Sequence, residues 1–192
     1  MDPIQKLKEE HQEIECVLDG LEAMASAAEV GAFTDEEKIL ELIWFFKEFT
    51  DGKHHSKEEE YLFPILELLG LPSKGGPTEV MRLEHVQGRK LVGLLNSILE
   101  NGREGSGTDW TELARVALAY VNLLRSHIEK ENHCIFEIAD DLLGLTEKEA
   151  ISAVFGRVDQ AWLNRNGNEA DAHVAGILDM SKAYQDGLWS KR

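Results

Sequence analysis

Apolar side chains near the start of the chain recur every three or four positions, at Ile4, Leu7, Ile14, Leu18 and Leu21, with His11 on the same face. That spacing is the period of an amphipathic helix and not the alternation of a strand. Asp2-Pro3 marks the start, a capping residue followed by a proline in the first turn, and Gly31 lies beyond the end. A second run is predicted from Thr34, where Asp35, Glu36 and Glu37 suit a helix N-terminus, to about Leu69. Asp51-Gly52 is a potential break within it, and Gly70-Leu71-Pro72 stops it. A third helix is predicted from Thr78 to Asn101, followed by Gly102 and the loop Gly105-Ser106-Gly107. A fourth starts at Thr108-Asp109 and continues to about Leu143, before Gly144. Two shorter amphipathic stretches follow, one with Ile151, Val154, Phe155, Val158 and Trp162, the other with Val174, Ile177, Leu178, Ser181, Tyr184 and Leu188.

The fold class is therefore all-α. Long helices joined by short loops predict an antiparallel up-down-up-down four-helix bundle, because a short connection makes consecutive helices antiparallel neighbours. The expected organisation is a bundle over residues 1–145 and a C-terminal helical extension over residues 146–192 packing on it.

Composition narrows the function. With 192 residues, 43% of them hydrophobic and 29% charged, the chain fits one soluble domain with a sizeable core. A formal net charge of -16 repels phosphate backbones and anionic lipid, so neither nucleic acid nor a membrane is expected as a partner. The longest apolar run, Leu42-Ile43-Trp44-Phe45-Phe46, falls far short of the roughly 18 residues of a spanning helix, and no apolar leader is visible. Cys16 and Cys134 form no C-x-x-C pair, which points to a reducing, cytoplasmic location. Residues 146–192 carry 6 Lys+Arg and 7 Asp+Glu, so nearly all of the excess acid lies in the bundle, where it favours a cation.

The histidines add the chemistry. In an antiparallel pair, two residues share a height only if the loop lies at their sequence midpoint, since each residue rises about 1.5 Å along its helix. The midpoint of His11 and His54 falls between Ala32 and Phe33, that of His54 and His85 between Leu69 and Gly70, and that of His85 and His127 on Ser106. All three positions are predicted loops. One histidine from each helix thus reaches a common level of the bundle.

Five histidines have a glutamate four residues later: His11/Glu15, His54/Glu58, His55/Glu59, His127/Glu131 and His133/Glu137. Residues four apart share a helix face, so such a pair presents an imidazole nitrogen and a carboxylate to one centre. Imidazole suits iron, zinc, copper and nickel, and a carboxylate can bridge two cations. His11, His54, Glu58, His85, His127 and Glu131 are the candidate ligands of a dinuclear site. Two bridging carboxylates, one bridging oxygen and histidines divided two and two leave each octahedral ion one open position. Cys134, seven residues after His127, is expected on the same face and in the core.

These residues carry a family resemblance. Glu10-His11, His54-His55-Ser56-Lys57-Glu58-Glu59-Glu60-Tyr61-Leu62-Phe63-Pro64, Met81-Arg82-Leu83-Glu84-His85 and His127-Ile128-Glu129-Lys130-Glu131, with Ile135-Phe136, resemble hemerythrin-like proteins of the HHE cation-binding type. The resemblance implies a non-haem di-iron centre, two Fe ions bridged by an oxo or hydroxo group, able to bind or sense O2 or NO. It also implies an alternative, a di-iron enzyme acting in NO or peroxide reduction or in repair of iron centres. A third reading gives the extension a protein partner. Oxygen-carrying hemerythrins place a second histidine four residues before the one matching His85, and here that position is Met81. His55 could supply a fifth imidazole, but about 100° of rotation per residue aims it away from His54 unless the helix is irregular at Asp51-Gly52. Glu84 and Glu15 are weaker candidates for the vacancy.

Overall fold

The computed structural model describes residues 1–105 and 107–186. Ser106, on which the third midpoint falls, and Leu188, in the last amphipathic stretch, lie outside the described residues. Among the described residues the secondary structure is helical throughout, as predicted, in six continuous runs: α1 (Pro3–Glu29), α2 (36–68), α3 (Pro77–Glu104), α4 (110–142), α5 (Leu145–Asn166) and α6 (Ala170–Gln185). None of these helices is long and apolar enough to cross a membrane.

The ends follow from local chemistry. The Asp2 side chain accepts from the Ile4 and Gln5 amides with Pro3 in the first turn, and Asp109 accepts from the Glu112 amide at the start of α4. Both satisfy amides that a helix start leaves unpaired. Gly31, Gly70 and Gly167 have positive φ, which lets the chain turn out of α1, α2 and α5.

Two of the long helices are not regular. In α2, α-helical Glu36–Trp44 passes into a π-helical stretch, Phe45–His55, and a second π-turn, Glu58–Leu62, precedes α-helical Phe63–Leu68. In α4 a π-turn, Glu131–Ile135, separates Trp110–Lys130 from Phe136–Leu142. Asp51-Gly52 is thus no break. The chain stays helical there but widens. Pro64 gives one reason for the second π-turn, since proline offers no amide to the carbonyl four residues earlier and its ring crowds that turn.

The core forms two apolar clusters. The smaller joins Ile4 and Leu7 of α1, Leu62, Phe63 and Leu66 of α2, Met81 of α3, and Ile135, Phe136 and Ala139 of α4, with Ile151 and Phe155 of α5. The larger takes in residues 14–28 of α1, the first half of α2, Val92 to Leu99 of α3 and Leu113 to Ile128 of α4, with Trp162 of α5 and Val174 and Ile177 of α6. Early α1 and α3 meeting late α2 and α4 is the clustering that alternating chain direction produces. α6 lies on α1, so closely that a Cβ on Gly20 would sit 2.7 Å from Ser181 Cβ. α5 crosses α1 and α2, and Trp162 Nε1 donates to Glu48 O at 2.8 Å.

Candidate metal centre

Between the two apolar clusters lies a layer of buried polar side chains. His11, His54, Glu58, His85, His127 and Glu131 are each at most 1% exposed, and His55 is 5% exposed. They fall into two groups, His11, His54, Glu58 and Glu131 in one and His55, Glu58, His85 and His127 in the other, each with ligand-capable atoms within 4.8 Å of one another. Glu58 belongs to both. Its Oε1 lies 3.5 Å from His54 Nε2 and its Oε2 3.6 Å from His85 Nε2. Glu131 spans the same gap, with Oε2 3.2 Å from both His11 Nε2 and His127 Nε2 and Oε1 3.9 Å from His85 Nε2.

His55 points inward beside His54 because the chain between Phe45 and His55 is π-helical. A wider turn lowers the rotation from one residue to the next, so both imidazoles of the doublet face the centre of the bundle. Glu58 and Glu131 each open a π-turn of their own. The turn at Glu131 also corrects the expectation for Cys134, which is exposed, because the added residue hands the inward position to Ile135, 1% exposed.

Every one of the five imidazoles is held from behind through Nδ1. His11 faces Asn132 Oδ1 at 2.9 Å, His54 faces Glu10 Oε2 at 3.1 Å, His55 faces Asp51 Oδ1 at 3.3 Å, His85 faces Glu59 Oε1 at 2.6 Å, and His127 faces Glu84 Oε2 at 3.0 Å. Cations fix the acids in turn. Lys57 binds Glu10, Arg89 binds Asp51 and Glu59 at 2.7 Å each, and Lys130 binds Glu84. An oxygen on Nδ1 fixes the ring and the tautomer, and leaves the Nε2 lone pair directed inward, the arrangement of histidines that hold metals.

The inner atoms lack partners of their own. His11 Nε2 and all four carboxylate oxygens of Glu58 and Glu131 are buried without a hydrogen bond of good geometry. His85 Nε2 and His127 Nε2 lie only 2.9 Å apart. Buried polar groups go unpaired at a cost of about 1–3 kcal/mol each, more when charged. Donor atoms roughly 3 Å apart are what ligands at right angles around an ion reach with bonds of about 2.1 Å. The donor set fits a pair of cations.

The family comparison agrees with the geometry. The hemerythrin HHE cation binding domain matches residues 2–139, a span that contains all of these side chains. The chain belongs to the hemerythrin HHE family. No curated protein and no solved structure matches it.

The electrostatics of this hemerythrin-family site are those of a cluster completed by positive charge. Burial, together with the neighbouring Glu131, Glu10 and Glu59, pushes the Glu58 carboxyl well above the usual range. Burial acts on Glu131 in the same sense, but His127 and His11 hold it well below. His54 is driven down to about 4, chiefly by burial, and burial also lowers His55 and His85. Against burial, Glu131 and Glu84 raise His127 to about 9. A hemerythrin-type site with most imidazoles neutral offers lone pairs to a metal at neutral pH.

Of the residues singled out in the sequence, the six candidate ligands come together and His55 joins them. Glu84 turns away from the centre and holds His127. Glu15 and His133 are exposed, and His173 pairs with Glu41 beside Trp44. Met81, where a further histidine is missing, sits in the smaller apolar cluster. Glu10, Asp51 and Asn132 escaped sequence reasoning as partners of the imidazoles. A one-turn pairing with a histidine exists only for Asp51 and His55.

Proposed function

We propose that this hemerythrin-family chain carries two iron ions and binds or senses O2, or NO, at one of them. In this reading His11 and His54 serve one ion, His55, His85 and His127 the other, and Glu58 and Glu131 bridge both. The observation that carries it is this three-to-two division of imidazoles. With an oxygen bridge the three-histidine ion reaches six ligands and the two-histidine ion five, which leaves one open position in place of the two expected from four histidines. Iron at that position supplies the electrons that a diatomic ligand needs for reversible binding.

The surroundings favour retention of a ligand over turnover. Leu7, Leu62, Ile135 and Phe136 close the layer on one side, and the His11 ring stacks on Phe136 with centroids 5.2 Å apart. A dry wall of this kind limits water and proton access. Both cysteines are free, which supports a reducing, cytoplasmic setting. Residues 146–192 remain, in this proposal, an extension of the metal-binding bundle and the face on which a protein partner would act.

The test is anaerobic purification with metal analysis, reduction, and exposure to O2 or NO under an optical spectrometer. Two irons per chain and new visible charge-transfer bands that vanish on removal of the gas support the proposal. Irreversible oxidation without an adduct, or steady consumption of NO or peroxide by the reduced protein, overturns it in favour of an enzyme.

A further inference from the structure

One buried chain of charges leads from α5 to the candidate metal layer. Lys57 is 0% exposed, with Nζ 2.6 Å from Asp159 Oδ1 on α5 and in contact with Glu10 Oε1 on α1. Glu10 is 1% exposed, and its other oxygen accepts from His54 Nδ1 at 3.1 Å. His54 Nε2 then faces Glu58. The Lys57 ammonium also lies 5.7 Å from the centre of the Phe155 ring of α5, so two side chains of that helix fix the lysine.

The other imidazoles have no such link. The acids behind His55, His85 and His127 are anchored by Arg89 and Lys130, which are 39% and 41% exposed and belong to α3 and α4. The fifth, His11, is held by Asn132 of α4. Among the described residues, the polar relay from α5 to the imidazoles therefore reaches one of the two groups of ligands.

We propose that Asp159 is a positioning residue for the His11/His54 metal position, acting through Lys57 and Glu10 on the orientation of His54. Docking of α5 thereby sets the affinity of one ion and not of the other. This rests on the dinuclear reading above, in which that ion is the one with the open position. The geometry gives the extension a means of control: a change at the Asp159–Lys57 contact loosens the two-histidine ion and leaves the three-histidine ion in place. Asp159 is partly exposed, at 29%, so a change there is tolerated by the fold better than one at Lys57.

The test is stepwise titration of metal-free protein with Co2+, followed by visible absorption and by proton NMR of the exchangeable Nδ1–H signals of the ligand imidazoles. The wild type should take up two ions. Asp159→Asn, two links beyond His54, should weaken one binding step several-fold, less than the roughly 10- to 100-fold of losing the outer partner that touches the ligand itself, and speed exchange of a single imidazole N–H. The other step should not change, and Asp159→Glu should restore part of the loss. Arg165→Ala removes a different ion pair of the same helix, to Glu48 at 3.1 Å, and should leave both steps alone. Lys130→Met should affect only the step that Asp159→Asn spares. Unchanged titration and exchange in Asp159→Asn, equal weakening of both steps, or the same effect from Arg165→Ala overturns the proposal. A wild type that binds fewer than two ions overturns the dinuclear reading itself.

Discussion

The His55 ring lies face to face with the His85 ring, centroids 3.7 Å apart and planes 16° from parallel. The two come from different helices, and their stacking leaves both Nε2 atoms on the inner side while Asp51 and Glu59 hold the outer nitrogens. His55→Ala should therefore weaken the binding step served by His85 and His127, by at least the roughly 10- to 100-fold that loss of an outer partner of a ligand costs, and leave the step served by His11 and His54 unchanged. Stepwise metal titration measures it. Two unchanged steps would return His55 to a packing role.

His55 also marks the boundary of what the sequence discloses. The caps at Asp2 and Asp109 and the glycine stops can be read directly, because each is a local interaction between a side chain and the nearest amides. The common height of His11, His54, His85 and His127 is likewise legible, since it depends only on chain length and helical rise. The π-turns are not. A wider turn weakens local hydrogen bonding, and beyond Pro64, which contributes to the second of them, no short motif announces it. For this one reason the sequence leaves His55 open and misplaces Cys134, one turned inward and the other outward by a residue the α-helical period does not count. Glu10 was hidden differently: on a glutamate-rich helix nothing local separates the buried acid from the half-buried Glu9 or the exposed Glu15 until Lys57 and His54 are placed.

The metal-free protein should be most stable near pH 6.5. His54 titrates near 4 when folded against an ordinary 6.5, so its neutral burial stabilises above 6.5 and that contribution is lost as pH falls towards 4. Glu10, held at about 2 against 4.5 by His54 and Lys57 despite its burial, adds on the order of 3 kcal/mol that is lost between pH 4.5 and 2. His127 works in the other sense. Raised to about 9, it stabilises below 6.5 and loses that contribution as pH rises towards 9. Urea midpoints across pH 3–10 would show the maximum. Metal should abolish the alkaline fall, because ligation replaces the proton on His127, and proton release on metal binding should be measurable in weakly buffered solution.

Thiol reactivity should divide the cysteines. Cys134 is exposed, while Cys16 is partly covered by α6, with Sγ 3.8 Å from Leu178 O and its pKa raised by burial. A thiolate reagent should modify one thiol rapidly and the second only slowly in the native protein, and Cys134→Ser should remove the fast phase. If the fast phase survived that substitution, the outward turn at Glu131–Ile135 would be wrong.

Gly20 separates the role of α6 from that of α5. A β-carbon there would meet Ser181 at 2.7 Å from Cβ and 2.8 Å from Cα, and the backbone contact cannot be relieved by a rotamer change. Gly20→Val should force α6 off α1 and lower stability by about 1–3 kcal/mol, the usual range for overpacking. The relay from Asp159 to His54 does not pass through α6, so the variant should still load two ions with unchanged stepwise affinity. Denaturation and metal titration of the same preparation decide it. Loss of one ion together with the loss of stability would mean that α5 and α6 hold the metal layer as a single unit, and the control assigned to α5 would then belong to the whole extension.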